Sequence, residues 1–198
     1  MDALEVTYQI DSRGRIISVG PGWDRFARVN NGAHLAGGAV LGRELWDFIS
    51  DATTRALYRA MADRLADGVP EISFTFRCDA PAERRLLEMR MRALPDDGIE
   101  FRVTPTSTVP RAPQSLLDPA AARSGDLLRM CSWCKRIPLS DQDWVEVEVA
   151  VHHLGWDRLP HIPGITHGIC PACEASVFGL VNEPVSTTGH PVDLGRFE

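Results

Sequence analysis

A chain of 198 residues with 44% hydrophobic and 24% charged residues has the composition of a globular protein. No run reaches the roughly 18 apolar residues that would span a bilayer. The formal net charge is −6, and from residue 126 onward five basic residues stand against ten acidic ones. Surfaces that meet nucleic acid draw affinity from neutralised phosphates and are basic, so this half argues against a nucleic-acid-binding regulator. The opening stretch MDALEVTYQIDSRGRI lacks the basic-then-apolar layout of a secretion signal, and the expected location is the cytoplasm. Thiols stay reduced there, which favours metal or redox chemistry over disulfides.

The chain opens with two β-branched runs, VTYQI and RIISV, joined by Asp11-Ser12-Arg13-Gly14. They predict a hairpin in which Gly14 supplies a positive φ. After Pro21, the residues Trp23, Phe26, Ala27 and Asn30 fall at helical spacing and predict a short helix. The glycine-rich stretch 32–42 reads as a loop. LWDFIS leads into Asp51, a candidate N-cap for ATTRALYRAMADRLADG, where Leu57, Met61 and Leu65 recur at four-residue steps and Gly68 is the stop. Three strand-like runs follow, EISFTFRC, RRLLEMRMRAL and IEFRVT. Alternation puts Ile72, Phe74 and Phe76 on one face of the first, and Leu87, Met89 and Met91 on one face of the second. Asp96-Asp97-Gly98 turns the second into the third. Residues 105–125 hold Pro105, Pro110, Pro113 and Pro119, and read as a linker or extended strap. This divides the chain into a first domain over 1–104, the linker, a cysteine-bearing module over 126–180, and a loosely held tail over 181–198.

The order strand, strand, helices, strand, strand, strand over about 100 residues resembles a PAS domain, with YQIDSRGRIISVGPGWDRF and GRELWDFI as the best local carriers. The resemblance implies an α+β fold: a five-stranded antiparallel sheet with helices on one face. It further implies a sensory or dimerising module, with a small-molecule ligand in the cleft of some members. The asparagine-cysteine-arginine-phenylalanine context of the photochemical flavin members is missing here. His34, the one histidine of this domain, lies in the glycine-rich loop and reads as a solvated side chain rather than a haem ligand. Cys78, at a strand end, reads as an idle thiol.

Four of the five cysteines form two matched pairs, Cys131-x-x-Cys134 and Cys170-x-x-Cys173, separated by 35 residues. Four thiolates satisfy tetrahedral Zn²⁺, and each CxxC turn supplies two of them, so the pattern predicts a structural zinc site. A c-type haem would need histidine after CxxC, where Lys135 and Glu174 stand. A thioredoxin-like centre would use one pair. A zinc-thiolate redox sensor would use these same ligands and stays open. His167, three residues before Cys170, is a candidate to brace the site by a hydrogen bond or to replace one cysteine as ligand. Pro171 suits the first turn of a helix through EASVFGLV.

Between the pairs, VEVEVAV alternates as a strand does, while Trp144, Val147, Val151 and Leu154 follow a helical stripe and Ser140 to Asp143 has the form of a capping box. The stretch CSWCKRIPLSDQDWVEVEVAV through THGICPAC resembles a cysteine-rich module that accompanies PAS domains and response regulators in bacterial signalling proteins, and this resemblance favours a helix over 141–154. The sequence offers no phosphate loop and no nucleophile–base constellation, so no enzymatic activity is expected. The expected role is a signalling adaptor that acts through an unidentified protein partner, without membrane contact, and that pairs as a homodimer.

Overall fold

A computed structural model describes residues 5–182. The expected tail is therefore outside the described residues from 183 onward. The hairpin is present as β1 (Val6–Ile10) and β2 (Ile16–Val19). Its turn is built by Asp11, whose Oδ1 accepts from the amides of Arg13 at 2.9 Å and Arg15 at 2.8 Å. Gly14 has φ of 79°, and a Cβ there would sit 2.3 Å from Nε1 of Trp46, so both backbone and space require glycine. Helix α1 (Gly22–Val29) follows, and Trp23 Nε1 donates to the Leu35 carbonyl at 2.7 Å. The stretch 32–42 is not the open loop expected. It contains a 3₁₀ turn at Ala33–Leu35 and a short helix α2 (Gly37–Val40). Asp24 accepts from the Gly37 amide at 2.7 Å and so anchors this connector to α1. A further 3₁₀ turn at Leu45–Phe48 leads to α3 (Ala52–Ala66), where Asp51 accepts from the Thr54 amide at 2.6 Å as the expected cap.

Strands β3 (Glu71–Arg77), β4 (Glu83–Ala93) and β5 (Ile99–Pro110) complete an antiparallel sheet of order β2-β1-β5-β4-β3. The fold is mixed α and β, as expected. Tyr8, Ile10, Phe74, Met89, Met91 and Phe101 bury one face of this sheet against Leu57, Met61 and Leu65 of α3. The alternate positions are polar: Thr7, Gln9, Ser73, Glu88, Arg90, Glu100 and Arg102.

β5 continues six residues past the expected start of the linker and pairs with β4 as far as Glu83↔Pro110. Its prolines are compatible with a strand because β1 pairs with β5 only from Ile99 to Val103. Beyond that point one edge of β5 is open, and a missing N–H costs no ladder bond there. The rest of the stretch is also held. Leu116 is buried in a 3₁₀ turn, and the Arg123 guanidinium donates to the carbonyls of Leu116, Asp118 and Pro163.

The cysteine-bearing half is built on a parallel pair, β6 (Arg123–Cys131) and β9 (Ile162–Gly168). Between them lie the two-residue strands β7 (Ile137–Pro138) and β8 (Trp144–Val145), then α4 (Val147–His153). The helix expected over 141–154 is therefore shorter. Ser140 Oγ accepts from the Asp143 amide at 3.1 Å, but this closes a turn rather than capping a helix, and Trp144 pairs opposite Pro138. Val147, Ala150 and Val151 start the helix where burial begins. Gly155, with φ of 66°, follows it. Helix α5 (Pro171–Asn182) closes the described chain, with Pro171 at its first position as expected.

Two apolar clusters result. Leu116, Met130, Ile137, Val147, Ala150, Val151 and Ile162 form a small one under α4. The larger runs without interruption from the sheet interior through Trp133 to the four cysteines and Val177. Trp133 is its hinge point, with ring centroids 5.6 Å from Phe74 and 5.7 Å from Tyr58. The Arg77 amide also donates to the Trp133 carbonyl at 2.7 Å. Beside this contact lies an ion-pair network. Buried Arg77 pairs with Asp79 and with Glu146. Arg111 spans Asp79 at 3.1 Å and Glu148 at 2.8 Å, and Arg84 reaches Glu148 at 3.3 Å.

Candidate metal centre

The parallel pair determines where the sulfurs meet. Register places Cys131, the last residue of β6, opposite Gly168, the last of β9. Both CxxC turns therefore leave the same end of the same two-stranded ladder, and the Ser132 amide donates to the Gly168 carbonyl at 2.7 Å across the exit. The first turn is closed by the Lys135 amide bonding the Cys131 carbonyl at 3.0 Å. The second enters α5, where the Glu174 amide bonds the Cys170 carbonyl at 2.9 Å.

The Sγ atoms of Cys131, Cys134, Cys170 and Cys173 all lie within 4.8 Å of one another. All four residues are buried, and all are free thiols. Cys134 Sγ and Cys170 Sγ are 3.7 Å apart. That separation is far beyond a disulfide bond. It matches the edge of about 3.8 Å that a tetrahedron with metal–sulfur bonds of about 2.3 Å would have. Backbone amides support the sulfurs from outside: the Cys170 amide points at Cys131 Sγ at 3.4 Å and the Cys173 amide at Cys170 Sγ at 3.5 Å. The donor set and spacing fit a metal ion such as zinc.

Crowding four thiols also separates their proton affinities. The neighbouring sulfurs of Cys134, Cys170 and Cys173 lower the Cys131 thiol well below its usual range. Hydrogen bonding among the sulfurs pushes Cys134 and Cys173 up, with burial and the charge of Cys131 adding to it. A cation in the middle removes this conflict, because every sulfur can then be ionised at once. Arg136 lies on the flank. Burial alone would lower its guanidinium, but hydrogen bonding to Glu146 and the charges of Glu146, Cys134 and Cys170 raise it.

His167 is not a member of the sulfur group. It sits on β9 opposite Met130, on the surface, and makes no hydrogen bond to a cysteine among the described residues. Cys78 follows the end of β3, where its amide bonds the Arg85 carbonyl at 3.0 Å, away from the other four. His152 and His153 are exposed in the last turn of α4. Two features around the centre were not expected from sequence: Trp133, buried inside the first CxxC turn against the sheet core, and the ion-pair network centred on Arg77. Tryptophan between two ligands was visible in CSWC, but its partners are 59 and 75 residues away. No protein-family model and no curated protein matches this chain, so the reading of the centre rests on the four sulfurs and their surroundings.

Proposed function

We propose that the chain is a PAS-type sensory domain joined to a structural zinc module, and that it works as a signalling adaptor through protein–protein contacts rather than as a catalyst. The observation that carries this reading is the buried four-sulfur cluster. Zinc held by Cys131, Cys134, Cys170 and Cys173 would supply a cross-link between β6 and α5, worth on the order of 10 kcal/mol of folding free energy in small metal-dependent modules. The β2-β1-β5-β4-β3 order, with helices packed on one face, supports the PAS reading. So does an apolar cavity of about 310 Å³ between α1 and the sheet, lined by Trp23, Phe26, Leu87 and Val103 among others. Burial of all four sulfurs favours a structural metal over the redox-sensor alternative, whose thiolates must meet oxidant.

Elemental analysis of the purified chain tests the reading. One zinc per chain is expected; Cys170→Ser should lower metal content sharply, and Cys78→Ser should leave it unchanged. Full metal retention in Cys170→Ser would remove the site. Rapid oxidation of the four cysteines with metal release under mild peroxide would transfer the assignment to the redox reading.

A further inference from the structure

The CxxC turn that carries Ser132 and Lys135 also closes a cavity of about 390 Å³ against the start of α3. Tyr8 of β1, Thr54 and Tyr58 of α3 and the apolar Leu45, Phe48 and Ile49 line it, together with Ser50, Asp51, Ser132, Lys135 and His167. Thr54 is only 7% exposed, and its Oγ1 is buried with no hydrogen-bond partner. The hydroxyls of Tyr8 and Tyr58 make no hydrogen bond among the described residues. A buried hydroxyl without a partner is costly unless something else meets it, and Thr54 Oγ1 is such a group on this cavity. Burial raises the phenol pKa of Tyr8, with Tyr58 nearby adding to it, and burial does the same for Tyr58. Both therefore remain O–H donors at neutral pH.

The same lining carries a cation. Lys135 Nζ donates to the Ser132 carbonyl at 2.9 Å and pairs with no carboxylate among the described residues. Its φ is 64°, a conformation in which glycine would be less strained, yet a lysine occupies it. The Asp51 carboxylate also lines the cavity, where it already accepts from the Thr54 amide as the cap of α3. Hydroxyl donors, apolar walls and an ammonium around one cavity suit an anion on a short flat apolar body. We propose that this cavity binds a small aromatic monocarboxylate, with Lys135 on the carboxylate and the hydroxyls of Tyr8, Thr54 and Tyr58 on an oxygen at the far end of the ring. The proposal names a ligand class for the sensory reading above, and rests on that reading only for the ligand's role as a signal.

Isothermal titration of the full chain with 4-hydroxybenzoate is the test, with 4-hydroxybenzamide as the uncharged control. Saturable binding is expected for the acid, with the amide about tenfold weaker, the scale of one charge-assisted contact. Lys135→Met should erase the difference between acid and amide. Thr54→Val should weaken both, and because Thr54 lies outside the CxxC turns it tests the site even if Lys135→Met loses metal. Absence of saturable heat, or binding that ignores both variants, would overturn the proposal; the second result would place the probe in the apolar cavity under α1. Zinc content of the same samples keeps the two readings apart. A zinc-loaded chain that ignores the probe defeats the ligand proposal alone, and a zinc-free chain that binds it defeats the metal reading alone.

Discussion

Arg77 shows what a single residue can hold together. It is 1% exposed and bonds Asp79, two residues away, and Glu146, on the other side of the linker. Removing one member of a buried ion pair strands the others, at about 3–5 kcal/mol. Arg77→Met should therefore lower the urea midpoint by a loss of that size, and Arg77→Lys should recover little of it, because an ammonium cannot serve two carboxylates in fork geometry. Glu148 of the same network has a pH signature. Burial alone would raise its carboxyl, but hydrogen bonding to its own backbone amide and to Arg111, with the charges of Arg111 and Arg84, holds it below the usual range. A carboxyl depressed in the folded state adds stability above its unfolded pKa of about 4.3, and that stability is lost as pH falls through the lower folded value. Glu148→Gln should flatten the acid limb of the stability curve measured by urea titration below about pH 4; an unchanged limb would remove Glu148 from the account. Neither role was legible in sequence. Strand alternation assigns Arg77 to the polar face of the sheet, and only the fold covers that corner with α4. The cysteines were legible because CxxC spacing is itself a local geometric requirement.

Among the elements, α3 was readable from end to end. Its cap, its four-residue apolar stripe and its glycine stop are all local signals, and each has the expected structural partner. Asp51→Ala should cost about 1 kcal/mol in chemical denaturation, the usual loss for a vacated cap, and Asp51→Asn should cost less. β5 was readable only in its first half. Prolines argue against a central strand, and nothing local tells that β1 ends early and leaves an edge. The segment around Val147 satisfied two periods at once. The chain uses both, pairing Trp144–Val145 as a strand and then turning into α4, because the apolar cluster around Met130 and Ile137 needs Val147, Ala150 and Val151 on one side. Tertiary contact decided between two locally acceptable readings.

At the scale of the whole molecule, the sheet and the cysteine-bearing half share one apolar cluster through Trp133. Chelation should therefore act in graded fashion. Hydrogen exchange is expected to rise first across β6, β9 and α5, to spread to the middle of α3 where Tyr58 meets Trp133, and to leave β1, β4 and β5 protected. Exchange unchanged by chelator would show that the metal is not structural. Self-association is proposed at micromolar concentration, and the outer sheet face is no greasy plate: it presents Arg90, Arg92 and Arg102 beside Glu88 and Glu100. If that face pairs, sedimentation should show a dimer that weakens as salt rises, since exposed ion pairs are screened.

The parallel alignment of β6 and β9 has one more consequence. Cys131 and Cys170 are brought together by the ladder that ends at Gly168, and not by the length of the chain that connects them. The tip at Asp141, Gln142 and Asp143 is exposed, so it is the place within the intervening segment that evolution or an engineer can enlarge. A short Gly-Ser insert there, or even a small reporter domain, should leave the chain able to load its metal, whereas a single residue added inside β9 would slide one pair of ligands past the other.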